Sequence, residues 1–570
     1  MHKHSSPISG VATYDNKFVL SAGYDNKVIL WDAYNKKPIR RVYHDHLVNQ
    51  CAFSPCGNYI ATVSSDYSCR IWLLPDMILY GVINSHTDDV ESVSFHPNKN
   101  IVATCSRDKT IIVSDYKGNI IAHLKGHVED IISVEWSSSG NLISSSDDGT
   151  IRIWDVNYQK EIECIDLDNI ETDTIAITPD KVIYAGNDNG EIITIINGKL
   201  KITSAHEAGI KRLVYDSSQK IMVSLSYDRK MKLWKEKDNN LENYHTAELP
   251  PIVWPRSCAF LDSDNLVFAS FGDSYVQYTI STQIWYQDHV LPTYGFNAVH
   301  VSGKDIWSVG DAGIVFCNNR PFAEMGSLCN FIIEFENVLI TGGQMGKIFN
   351  ARTGDTIYEH HSPLNCAAVS WGDNQFCLVG TYTGEGIVLR RIAGDIVVTN
   401  VISLHKNAIK GVFISKEFIF SVCANAAAAL HKIEDFSCHA YIPKAHKKII
   451  NGCDGNKEGL FVSVSRDLTL RIWKNENFEK IKTPSTNSIK CVAFDDKNNY
   501  ISIGNYTGWV GVYDLNENKW ILWEKRSFTG ISSIKCTQDD FVYSTYDGIN
   551  EFIFNHGLKY DQKRIKPNWR

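Results

Sequence analysis

The sequence predicts an all-β chain folded as two tandem rings, each made of seven four-stranded blades. Three observations carry this: a self-similarity with a period of about 40 residues along the chain, short runs that alternate apolar and polar residues, and tight-turn residues between those runs. The period is clearest in four segments. These are His46 to Trp72, ending SSDYSCRIW; Gly126 to Asp155, GHVEDIISVEWSSSGNLISSSDDGTIRIWD; His206 to Trp234, ending SYDRKMKLW; and His446 to Trp473, ending SRDLTLRIW. In each of them a turn Asp precedes the Trp by six positions.

Runs such as IISVEW, LISSS and IRIWD alternate with the two-residue period of strands. SPCGN, SSSGN and DDKNN supply the Ser, Asp, Asn and Gly that tight hairpin loops require. One four-stranded unit cannot bury both of its faces, so the units must stack into rings. Units begin near residues 5, 45, 86, 127, 168, 206 and 248, then near 288, 327, 363, 404, 446, 484 and 526. The rhythm breaks at QIWYQDHVLPTYG, which divides the chain into residues 1–287 and 288–570. Repeats of the second half are degenerate: GDAGIVF, GGQMGKIF, TYTGEGIVL and CANAAAALH keep the turn and strand rhythm without the Asp or the Trp.

The repeat resembles the WD-repeat (WD40) family over essentially the whole chain, in the form of a double β-propeller. The resemblance implies that the His, the turn Asp, a Ser or Thr and the Trp of a unit join in a hydrogen-bonded chain within its blade. His127, Asp148 and Trp154 fit that pattern, as do His206, Asp228 and Trp234, and His446, Asp467 and Trp473. The third unit has His86 and Asp108 but Ser114 in place of Trp. No nucleophile elbow accompanies these residues, so they read as structural and not as a hydrolase triad.

A chain of 570 residues exceeds what one core supports, which agrees with two domains. A net charge of -8 argues against a general nucleic-acid binder. The 15 cysteines form no CxxC pairs, and Cys51, Cys258 and Cys491 lie in apolar runs, as small buried thiols of a reducing compartment do. MHKHSSPIS lacks a secretory apolar core and no run reaches the ~18 apolar residues of a membrane span. A cytoplasmic protein without membrane contact is expected, nuclear residence being compatible. The basic tail KRIKPNWR reads as a solvated end.

The sequence lacks a P-loop, a GxGxxG turn and an HExxH motif, so no catalytic residue and no cofactor is expected. Among histidine pairs, His44 and His46 have no third ligand, while the adjacent His360 and His361 should point to opposite faces of a strand; no metal site is expected. Asp147–Asp148 and Asp539–Asp540 read as turn residues.

Binding remains. The resemblance implies a scaffold or adaptor that holds protein partners on the narrower top face of each propeller. The motif places Asp89, Glu91, Arg107, Asp130, Asp147, Glu171, Asp173 and Asp188 on an acidic arc of the first ring, and Lys211, Tyr227, Trp254, Arg256 and Tyr24 on a basic and aromatic arc opposite. A basic segment of a protein partner suits the first ring. The second ring carries Lys410, Lys448, Arg466 and Lys490 beside Tyr382, Tyr506 and Tyr546, which suits an acidic or phosphorylated segment or RNA. An actin-binding double propeller and a noncatalytic subunit of an RNA-processing assembly are the alternative classes.

Overall fold

Short turns dominate the connections, so successive strands pair antiparallel in chain order and each repeat becomes one sheet. The structure, a computed structural model, describes residues 3–554 except 169, 238–239, 373–374, 498 and 538–539. The tail KRIKPNWR and Asp539 lie outside the described residues. Thirteen four-stranded sheets and one three-stranded sheet are described. Numbered as blades in chain order, blades 1–7 have innermost strands Ile8–Tyr14, Val48–Phe53, Val90–Phe95, Ile131–Trp136, Thr172–Ile177, Ile210–Asp216 and Val253–Phe260. Blades 8–14 begin with Phe296–Ser302, Cys329–Phe335, Leu364–Val369, Ile409–Ile414, Ile450–Gly455, Ile489–Asp495 and Ile531–Cys536.

Burial peaks at the second strand of a blade and falls off towards the outermost. In blade 4 the second strand Leu142–Ser146 is buried throughout, whereas the outermost strand Lys160–Asp166 is exposed at all but one position. The apolar cores sit between neighbouring blades and not within one. Ala103, Ile111 and Val113 of blade 3 pack on Val134, Leu142 and Trp154 of blade 4, and equivalent clusters join blades 4 to 5 and 5 to 6.

Two compact units result, Met1–Thr293 and Tyr294–Arg570. Residues 288–293, beyond the boundary read from the sequence, stay with the first unit because Val290 enters the blade 7 core and Gly272 bridges Pro292. In the first unit the innermost strand of blade 1 packs on those of both blade 2 and blade 7, which closes the ring. No strand is lent across the seam, since blade 7 has four strands of its own. The seam is pinned instead by the first residues: His4 donates its backbone N–H to the Asp273 carbonyl at 3.0 Å, and Lys3 reaches the Asp273 carboxylate at 2.8 Å. Trp31 meets Tyr275 edge-on, with ring centroids 5.7 Å apart. The second unit closes likewise, blade 8 packing on blade 14 through Val299, Ile306 and Val542.

Polar chains rivet single blades. In blade 4 the Trp154 Nε1–H donates to Ser144 Oγ at 2.9 Å, the hydroxyl donates to His127 Nε2 at 2.8 Å, and the Nδ1–H donates to Asp148 at 2.8 Å. These partners dictate the neutral imidazole tautomer. Asp148 also accepts the Val128 and Thr150 backbone N–H groups, both at 3.0 Å, so one carboxylate organises the loop and the turn. Burial alone would raise the Asp148 carboxyl, but hydrogen bonds from His127 and Thr150 hold it well below the usual carboxylate range. Burial pushes His127 and His446 down, towards the neutral form.

Blades 6 and 12 carry the same chain, through Ser224 and Ser463. Blade 3 keeps His86, Thr104 and Asp108, but with Ser114 in the Trp position its chain ends at Thr104. Two further complete chains escaped the sequence reading: His4, Ser21, Asp25 and Trp31 in blade 1, and His44, Thr62, Asp66 and Trp72 in blade 2. The signal was present, because His44 precedes Asp66 by the same 22 positions that separate His206 from Asp228. Choosing His46 as the unit start hid it.

Asp467→Ala removes the charged acceptor of the His446 Nδ1–H in blade 12 and leaves it only the Thr469 hydroxyl at 3.2 Å. It is expected to cost about 2–3 kcal/mol, read as a lower denaturation midpoint of the second unit.

Candidate functional site: the propeller rims

Two positions of every repeat meet at the same end of a blade: the loop entering the innermost strand, and the turn after the second strand. In blade 3, for example, Asp89 and Glu91 flank the start of Val90–Phe95, and Arg107 follows Ile101–Ser106. The backbone ties these positions together, the Arg107 N–H donating to the Asp89 carbonyl at 3.0 Å and the Asp147 N–H to the Asp130 carbonyl at 2.9 Å.

On the first ring the charges interlock. Arg107 binds Glu91 at 2.5 Å and Asp130 at 2.6 Å. Lys211 bridges Asp173 and Asp188 and lies 5.1 Å from the centre of the Tyr227 ring. Arg256 reaches Glu91 at 3.2 Å and Tyr24 Oη at 3.4 Å, and its guanidinium lies over the Trp254 ring. The sequence placed an acidic arc opposite a basic one; the structure instead draws the cations of one arc into ion pairs with the carboxylates of the other. Arg107 and Lys211 span the gap to a neighbouring blade, while Arg256 of blade 7 reaches Glu91 of blade 3, which is not its neighbour. Burial would depress the Lys211 ammonium, but Asp173, Asp188 and Tyr227 raise it well above its ordinary value.

Acid still exceeds base on this rim. Arg107, Lys211 and Arg256 pair with Glu91, Asp130, Asp173 and Asp188, and Asp89, Asp147 and Glu171 add three further carboxylates to the same rim. The Asp147 carboxyl is raised well above its ordinary value by burial and by the neighbouring Glu171, Asp130 and Asp173. Asp89 and Trp254 have turned inward. Asp89 is 1% exposed, and Trp254 is 8% exposed between Tyr24 and Phe271, so neither offers a side chain at the surface.

The second ring has the opposite sign. Lys410 Nζ lies 4.8 Å from the centre of the Tyr382 ring, and Arg466 and Lys490 lie 5.8 and 5.9 Å from that of Tyr506. Tyr506 stacks on Tyr546, with centroids 6.4 Å apart. Burial and the adjacent Lys490 push Lys410 down to about 8. Burial would raise the Tyr506 hydroxyl, yet Lys490, Arg466 and Lys410 bring it below its ordinary value. Lys448 enters the same end of blade 12, its carbonyl accepting the Ser465 hydroxyl at 3.0 Å.

One expectation fails outright. His360 and His361 do not diverge: their ring centroids are 4.1 Å apart and both Nε2 atoms face Glu385, at 3.2 and 3.8 Å. The alternation rule does not apply because the two residues lie beyond the strand Thr356–Glu359, in the loop entering blade 10. His44 and His46 do part company, His44 joining its blade chain while His46 Nδ1 accepts the Leu47 N–H.

The blade geometry and its polar chains define a repeat propeller, and the family comparison agrees. Residues 1–32, 36–72, 78–115, 118–155 and 198–235 match the family described as WD domain, G-beta repeat, so the first unit is built of WD repeats. The match stops at residue 235, although blade 12 of the second unit has a complete polar chain. Similar proteins include the Arabidopsis thaliana transcriptional corepressor LEUNIG_HOMOLOG, 25% identical over an alignment of 240 residues, with 34% of this chain and 30% of that protein covered. The Schizosaccharomyces pombe pre-rRNA-processing protein crb3/ipi3 is 27% identical over 158 residues, 24% of this chain and 35% of that one. A Zea mays guanine nucleotide-binding protein subunit beta is 24% identical over 224 residues, 35% of this chain and 59% of that one. The chain thus spans about a third of the first two relatives and 59% of the third. Among the described residues no helix is long and apolar enough to cross a membrane.

Lys490→Ala removes the like charge beside Lys410 and should raise the Lys410 titration midpoint from about 8. Carbon-13 NMR of the methylated lysines reads it, and an unchanged midpoint would show that the two ammonium groups do not interact.

Proposed function

We propose that this WD-repeat protein is a non-enzymatic scaffold whose two rims hold partners of opposite charge, a Lys- and Arg-rich protein segment on the first and an acidic or phosphorylated segment on the second. The observation that carries the reading is the contrast in how the rims are charged. Burial and then the clustered carboxylates raise Asp147 on one, while burial and then a neighbouring ammonium depress Lys410 on the other. Each rim holds like charges close together, and a ligand of the opposite charge relieves that repulsion. The ion pairs of Arg107, Lys211 and Arg256 fix Glu91, Asp130, Asp173 and Asp188 in place, so these side chains lose little freedom on binding.

The names of the relatives span transcription and pre-rRNA processing, which fits a holding role more readily than one chemistry. A second reading rests on the Tyr506–Tyr546 stack beside Arg466 and Lys490: aromatic faces next to cations also suit the bases and phosphates of single-stranded RNA.

Fluorescence anisotropy with a basic peptide, a phosphorylated acidic peptide and a single-stranded RNA separates these. Asp147→Asn with Glu171→Gln should weaken the basic peptide about ten-fold and leave both anionic probes unchanged. Arg466→Ala with Lys490→Ala should weaken only the anionic probes, and preference between peptide and RNA decides the second reading. Equal binding by all variants would remove the rims from the function.

A further inference from the structure

The loop entering blade 10 breaks the pattern of the riveted blades. Aligned by strand register with blade 12, His360 occupies the place of His446, but Val379 stands at the Ser463 position, Thr383 at that of Asp467 and Leu389 at that of Trp473. The polar chain that anchors a histidine in blades 4, 6 and 12 is therefore absent here. In its place is Glu385, at the position of Thr469, with a second imidazole brought beside the first.

From this geometry we infer that His360, His361 and Glu385 form a binding site for zinc, or a similar borderline divalent transition metal, that staples the loop entering blade 10 to the third strand of that blade, Glu385–Ile392. The ligand atoms of the three residues all lie within 4.8 Å of one another. His360 Nε2 is 3.2 Å and His361 Nε2 3.8 Å from the same carboxylate oxygen. Tetrahedral zinc with bonds of about 2.0–2.1 Å needs ligand separations of roughly 3.3 Å. The His360–Glu385 edge already has that length, and the half-exposed His361 has room to swing inward.

The surroundings suit a first coordination shell. The Glu385 carboxylate accepts the Thr383 hydroxyl at 2.8 Å, and the Glu385 N–H donates to Thr381 Oγ1 at 2.9 Å, so the acid and its backbone are each anchored. His360 Nδ1 now accepts the Ser362 N–H at 3.1 Å, with the Ser362 carbonyl 3.4 Å away. When Nε2 takes the metal, the ring proton moves to Nδ1, the Ser362 N–H gives up its bond to that nitrogen, and Nδ1–H turns to the Ser362 carbonyl, the outer-shell hydrogen bond that metal-bound histidines favour. No net proton is lost. Two imidazoles and one carboxylate select zinc and its neighbours over calcium and magnesium, which require more oxygen donors. His360 is 4% exposed and His361 45%, so the site is fixed on the buried side, while the outer side admits the ion and a fourth ligand such as water.

The test is zinc titration of the chelator-treated full chain, in competition with a chromophoric chelator. The expected result is one saturable zinc per chain, a raised melting temperature, and the visible spectrum of tetrahedral cobalt(II) on substitution. His361→Ala and Glu385→Gln, both at accessible positions, should each lower affinity at least ten-fold while melting like the wild-type apo chain. No saturable zinc, or equal affinity in both variants, would overturn the proposal. Because His360→Ala opens a buried position, it is not needed for the decision.

Discussion

A blade of four strands has two apolar faces and no means of covering either, and every other feature of the chain answers to that deficit. The cores lie between sheets, so each blade is stable only through its neighbours. An array with free ends would leave one face of its first and last blades in water. Closure removes both ends at once. In the first unit this is done without exchanging a strand: blades 1 and 7 meet through apolar and aromatic contact, and residues 3–4 tie the seam with an ion pair and a backbone hydrogen bond.

The polar chains act at a different level. His, hydroxyl, Asp and Trp lock the loop, the turn and the third strand of one blade, and leave blade-to-blade contact to apolar side chains. The second unit shows that the rivets are dispensable where the apolar seam is intact. Blade 10 has neither Ser nor Trp at the chain positions, yet Leu364, Val379, Ile387 and Leu389 pack it fully against blade 9. In blade 11 His405 still meets Ser421, while His431 occupies the Trp position. Relaxed demand for the rivet is what frees a position such as Glu385 for other chemistry.

Periodicity made the architecture readable from the residues alone. Strand alternation, turn composition and the six-residue Asp-to-Trp spacing are local properties, and repetition multiplies their weight. The place of each rim residue was readable for the same reason, since the motif fixes where on a blade it sits. What the sequence did not carry was which side chains would reach one another. Arg107 and Lys211 cross to carboxylates of adjacent blades, 23 positions on to Asp130 and 38 positions back to Asp173, and Asp89 and Trp254 turn inward. These outcomes depend on distances around a closed ring, which no local pattern encodes. The His360–His361 misreading has a local origin: a rule for strands was applied to residues that lie just past a strand end.

Each wheel is closed by its own blades. The direct measurement is the unfolding of residues 1–293 made as a separate chain, followed by tryptophan fluorescence and compared with the first unit in the full chain. Self-closure predicts a cooperative transition at the same denaturant midpoint in both. A fragment that melts without cooperativity, or binds a hydrophobic dye under native conditions, would show that the seam between blades 1 and 7 does not hold by itself and would contradict the account.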